Sequence, residues 1–262
     1  LQHVPGAIRS ALAVAGSRSA IFARGRGDAS AAETHYQRGI DFYKGRNAPQ
    51  DFQQAAACFQ QAAASGHAES QYILGTLYDE GTGVERDAAL AAQWDRRAAA
   101  SGHAYAQASV SFRYYAGDGV AQDFAEAYRW CVKAAEQGLA WAQYNLGLMV
   151  RKGEGTERDD ALAAEWYRKA AAQEWPEAQQ KLADLYYAGT GVALDYTQAA
   201  HWYRKSAEHG NAEAQFQLSH LYTIGMGVPH DYTQARYWVR LAAEQGHEQA
   251  RLEWKKREYR DP

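Results

Sequence analysis

Cysteine, proline and long apolar runs are all scarce in this chain. Its 262 residues hold two cysteines, Cys58 and Cys131, too few for a disulfide framework. Five prolines, set beside many alanines, leave helix as the favoured backbone state. No apolar run approaches the roughly 20 residues of a bilayer-spanning helix, so no membrane span is expected. Excess charge of one sign is also missing. The formal net charge is −3, which gives no general attraction to nucleic acid. No His/Cys spacing fits zinc, and no Ser/His/Asp or Cys/His set stands out. Neither a metal, a cofactor nor a catalytic centre is therefore expected.

What the chain does have is apolar and aromatic. Apolar residues make up 47% of it, enough for a sizeable core, and the eight Trp and eighteen Tyr call for a structural or a binding role. Residues 1–29 differ from the rest: they carry four arginines and no acid before Asp28. They read as an N-terminal arm or a targeting remnant. The chain opens on Leu1 rather than Met, as a fragment or a processed form would. The compartment stays open: cytoplasmic, or periplasmic or secreted if the first residues are a targeting remnant.

From residue 30 onward the sequence repeats every 36 residues without a gap. The copies run 30–65, 66–101, 102–137, 138–173, 174–209 and 210–245, and residues 246–262 form a half copy. Near the start of the copies come Ala and Gln, followed by an apolar and a small residue, as in Leu146-Gly147 and Leu182-Ala183. Spacings of three and four among these positions mark one helix face. A glycine then recurs where this helix must stop: Gly45, Gly81, Gly117, Gly153, Gly189 and Gly225. Two residues on comes Gly83, Gly119, Gly155, Gly191 or Gly227, with Asn47 in the first copy. An aspartate follows in every copy (Asp51, Asp87, Asp123, Asp159, Asp195, Asp231), placed to cap a second helix. That helix carries Ala and then Trp94, Trp130, Trp166, Trp202 or Trp238, with Cys58 in the first copy. The Ala/Trp spacing predicts a packed stripe between layers.

The Gly-x-Gly pairs do not read as phosphate loops. A helix precedes them rather than a strand, and the pattern recurs in all copies. His67, His103 and His247 share one helix-start position, one per layer, which excludes a metal cluster among them.

"AQYNLGLMVRKGEGTERDDALAAEWYRKAAAQG" resembles a Sel-1-like repeat, a relative of the tetratricopeptide repeat, and the resemblance covers residues 30–262. It implies an all-α fold: a right-handed α/α superhelical solenoid of helix-turn-helix repeats, six of them plus a C-terminal capping helix over 246–262. It also implies a non-enzymatic adaptor or scaffold that binds a protein or peptide on the concave face lined by the first helices. Some bacterial members are immunity proteins that neutralise a toxic effector. An enzyme acting on cell-wall or β-lactam substrates has been proposed for cysteine-rich relatives, whose per-repeat disulfides this chain lacks.

If constant positions build the scaffold, function belongs to the variable ones. Most copies place Glu early on the first helix: Glu33, Glu69, Glu177 and Glu213. The third and fourth copies place Tyr105 and Trp141 there. Phe112 and Tyr115 join the third, Tyr144, Leu148, Arg151 and Lys152 the fourth, Tyr187 the fifth, and Phe216 and His220 the sixth. Aromatics with basic neighbours fit a partner-binding groove.

Overall fold

A computed structural model of the chain describes residues 27–255. Most of the expected N-terminal extension and the end of the expected cap lie outside the described residues. Among the described residues every regular element is an α-helix. Repeat 1 supplies α1 (Gly27–Lys44) and α2 (Phe52–Ala64); repeat 2, α3 (Ala68–Glu80) and α4 (Ala88–Ala100). Repeat 3 supplies α5 (Ala104–Ala116) and α6 (Phe124–Glu136); repeat 4, α7 (Ala140–Lys152) and α8 (Asp160–Ala172). Repeat 5 supplies α9 (Pro176–Ala188) and α10 (Tyr196–Glu208); repeat 6, α11 (Ala212–Ile224) and α12 (Tyr232–Glu244). A last helix, α13 (Glu248–Lys255), follows. The fold is an all-α solenoid. Its helices form two compact units that meet in sequence at Gln137 and Gly138. Within each unit every helix packs against the next.

The turn between the two helices of a repeat is built by the glycines and the aspartate. Gly81, Gly117, Gly153, Gly189 and Gly225 end their helices in the left-handed conformation, with φ between 64° and 74°. The second glycine does something the sequence did not suggest. A Cβ on Gly83 would lie 2.1 Å from the Phe52 carbonyl oxygen, and one on Gly227 2.0 Å from that of Tyr196. The turn of one repeat thus rests directly on the first residue of the preceding repeat's second helix, and only a glycine fits between. All six aspartates then cap: Asp51, Asp87, Asp123, Asp159, Asp195 and Asp231 each accept N–H groups of the helix they open. Each cap contributes about 1 kcal/mol.

Between repeats, the buried Gln in the first turn of the first helix serves as a cap for the helix before it. Gln71, Gln107, Gln179 and Gln215 donate to the carbonyls of Ala63, Ala99, Ala171 and Ala207 at 3.1–3.3 Å. Each of those carbonyls also accepts the backbone N–H three residues on, from Gly66, Gly102, Glu174 and Gly210 at 3.0 Å, so the glutamine fills the second acceptor site of a helix-end carbonyl. Gln137, Gln173 and Gln245 in turn donate to Gln107, Gln143 and Gln215 at 2.7–2.9 Å.

The interior differs from the expected Ala/Trp stripe. Trp94, Trp130, Trp166 and Trp202 are only half-buried, and each carries a cation over its ring: Arg97, Lys133, Lys169 and Lys205 at 3.8–5.4 Å. Trp238 and Cys58, at the same repeat position, are buried; at the other four the residue after the Trp is the buried one, because one helix residue turns the side chain by about 100°. That next position is interior in every repeat. Phe59, Asp95, Cys131, Tyr167, Tyr203 and Val239 occupy it, all buried. They press on the small residue of the first helix. A Cβ on Gly39, Gly75 or Gly147 would come within 2.7, 2.6 and 2.6 Å of Phe59, Asp95 and Tyr167. Cys58 and Cys131 are both buried free thiols.

Candidate partner-binding faces

The eleven residues singled out in the sequence fall into three places, set by their position in the repeat. Tyr105 and Trp141 occupy one position, and Phe112, Leu148 and His220 a second, seven residues later on the same helix face. All five are half-buried, and Lys152 on the same face of α7 is exposed. In the first unit the Tyr105 ring lies 6.3 Å from that of Tyr72 and 6.2 Å from that of His103. In the second unit His220 Nε2 lies 3.4 Å from Glu253 and its ring 4.6 Å from Phe216. These residues share the outward face of the first helices.

Tyr115, Arg151 and Tyr187 share a different position, at the turn edge, where they brace their own repeat. Tyr115 packs edge-on against Phe124 at 5.3 Å and Tyr187 against Tyr196 at 5.5 Å, as Tyr43 does against Phe52 at 5.2 Å. Arg151 lies 3.9 Å from Asp160, a charged version of the same brace. Tyr187 keeps 40% exposure and presents one ring edge to solvent.

Tyr144 and Phe216 do not reach the surface. They are 6% and 4% exposed, so their placement on a binding face is corrected to the interior. Tyr144 lies 6.1 Å from Tyr167, and Phe216 4.7 Å from His247. Tyr36 and Tyr72 hold the same repeat position and are equally buried. The position faces the following repeat rather than solvent.

One buried feature escaped the sequence reading. Arg113 and Asp95 are 3% and 2% exposed. Arg113 Nε donates to Asp95 Oδ2 at 2.8 Å, its Nη1 to Asp118 at 3.3 Å, and its Nη2 to Asp79. Burial, opposed by the Arg113 charge, pushes the Asp95 carboxyl up to about 7. Asp95 Oδ1 is buried without a hydrogen-bond partner. The signal was present: Arg113 stands where other copies have Leu77, Met149, Leu185 and Leu221. Among the described residues, no group of three or more His, Cys, Asp and Glu is placed to hold a metal ion. No helix there is long and apolar enough to cross a membrane.

This repeat geometry is matched by a known family model. The Sel1 repeat model matches residues 32–67, 68–103, 104–139, 142–174, 176–211 and 212–247. The chain belongs to the Sel1 repeat family. Among solved structures it is similar to c5321, a protective antigen present in uropathogenic Escherichia coli strains displaying an SLR fold. The identity is 39% and the TM-score 0.82, over 86% of this chain and 49% of that one. The chain thus spans about half the length of that protein. It is also similar to a Sel1 repeat protein from Oxalobacter formigenes, with 30% identity and a TM-score of 0.69 over 82% of this chain and 86% of that one. No match was found among curated proteins. Sel1 repeat proteins in general mediate protein–protein interaction.

Proposed function

We propose that this Sel1 repeat chain is a non-enzymatic adaptor. It holds a partner protein or peptide segment against the outward face of its first helices. Each unit offers its own pair of anchors, Tyr105 and Phe112 in one and Trp141 and Leu148 in the other.

One observation carries this reading. At both face positions the other copies of the later repeats are polar: Glu69 and Thr76, Glu177 and Asp184, Glu213 and His220. In repeats 3 and 4 alone, both become large and apolar while staying partly open to solvent. Half-buried aromatics held on rigid helices lose little freedom on binding, which suits interface anchors.

The test is the double variant W141A/L148A, compared with wild type for partner affinity and for melting. Loss of about thirtyfold in affinity with an unchanged melting temperature supports the reading. Unchanged affinity contradicts it. Partner binding that stays flat from low to high salt excludes nucleic acid as the ligand.

A further inference from the structure

Three helices open with the same histidine device. His67, His103 and His247 each sit one residue before the first helix of their repeat, or before α13. Nδ1 of each accepts the N–H three residues on, from Ser70, Ala106 and Ala250, at 3.2, 3.1 and 3.1 Å. Nε2 faces a glutamate of the preceding repeat: Glu33 at 3.5 Å, Glu69 at 3.0 Å and Glu213 at 3.0 Å. The ring lies 4.7 Å from that of Tyr36, Tyr72 or Phe216 of that same preceding repeat. One side chain therefore caps its own helix and ties two repeats together.

These two hydrogen bonds fix the protonation state. An imidazole that accepts at Nδ1 and donates from Nε2 is neutral, with its proton on Nε2. A second proton has only Nδ1 to go to. There it would meet a backbone N–H and the positive end of a helix dipole; at His67 the Ser70 hydroxyl also lies 2.9 Å from Nδ1 and would have to turn from donor to acceptor.

We propose that His67, His103 and His247 are proton-sensitive latches: mild acid breaks their caps and loosens the junctions between repeats 1 and 2, repeats 2 and 3, and repeat 6 and α13. The helix starts at Leu139, Trp175 and Asn211 carry no titratable group at this position and keep their geometry. Asn211 is the natural control, since it accepts the Ala214 N–H at 2.9 Å with no proton to gain.

His67 is faced by Glu33 and Glu69, with His103 beyond them. Burial, the largest effect, still holds its pKa below the usual histidine value. His103 is faced by Glu69, and Asp95 feels its charge. His247 is faced by Glu213, which Gln217 and Lys181 also face. The His220–Glu253 pair joins the same two helices, α11 and α13. The glutamates favour an imidazolium, but they lie at Nε2, which already has its proton, and cannot replace the cap. His67, with its lowered folded pKa, gives full stability above the unfolded value of about 6.5, and loses it as pH falls below that.

Nitrogen-15 spectra of the imidazoles at about pH 7.5 report the tautomer directly and need no variant. The Nε2–H form is expected for all three. Amide exchange, corrected for intrinsic rates, is then compared at about pH 7.5 and about pH 5.5. Protection in α3, α5 and α13 should fall about tenfold while that in α9 and α10 holds. In the triple variant H67N/H103N/H247N, which installs the residue of repeat 6, the fall should vanish. An Nδ1–H tautomer at the higher pH, or an equal fall in the triple variant, overturns the proposal.

Discussion

Arg113 and Asp95 form a buried ion pair 2.8 Å long between the second helix of repeat 2 and the first helix of repeat 3. The equivalent positions at later junctions hold buried uncharged pairs, Tyr167 with Leu185 and Tyr203 with Leu221. Removing one partner strands a charge in the interior; replacing both with a packed pair does not. R113L alone should therefore cost about 3–5 kcal/mol, and R113L/D95Y, which copies the Leu185–Tyr167 pair, should recover that loss or exceed wild type. Urea unfolding of the three proteins checks it. A double variant as unstable as the single one would show that the pair is needed for packing.

The same carboxyl gives a pH signature. Burial raises Asp95 to about 7, above its unfolded value of about 3.9. Between those values the folded chain binds more protons than the unfolded one, so this group's contribution to stability falls as pH rises. The stability of wild type minus that of D95N should thus decline from about pH 4 to about pH 7 and then level off. A flat difference contradicts a raised Asp95.

Two glycines with positive φ separate backbone strain from repeat packing. Gly66 (φ 84°) has nothing within 4 Å of a built Cβ, whereas a Cβ on Gly83 (φ 72°) meets the Phe52 carbonyl. G66A should cost roughly 1–2 kcal/mol, the left-handed penalty alone. G83A should cost clearly more, because the turn must also lift off repeat 1. Equal losses in thermal or urea unfolding would mean that the turn does not hold the two repeats together. Asn47 occupies the same repeat position at φ 56°, where no second helix precedes it among the described residues.

The repeat, its helix stops and its caps were legible in the sequence. Gly189 and Asp195, for example, act through local backbone chemistry that repeats at fixed spacing. What was not legible depends on which way a side chain turns within the stack. Trp166 and Tyr167 are neighbours, yet Tyr167 takes the interior and Trp166 the rim beneath Lys169. Tyr144 and Trp141 lie one helical turn apart, yet only Trp141 keeps an open edge. The His103–Glu69 pair spans 34 residues and was visible only as two separate recurring positions. Arg113 was visible as a departure from an apolar position, but its partners were not, since they lie in two other segments.

The central claim is that a partner contacts the outward face of the first helices. A photo-crosslinking residue placed at Leu148 tests it most directly, with one at Glu165, exposed on the second helix α8, as the control. In the native host, the account predicts a discrete protein adduct from position 148 and none from position 165. Adducts from position 165 alone, or equally from both, would contradict it.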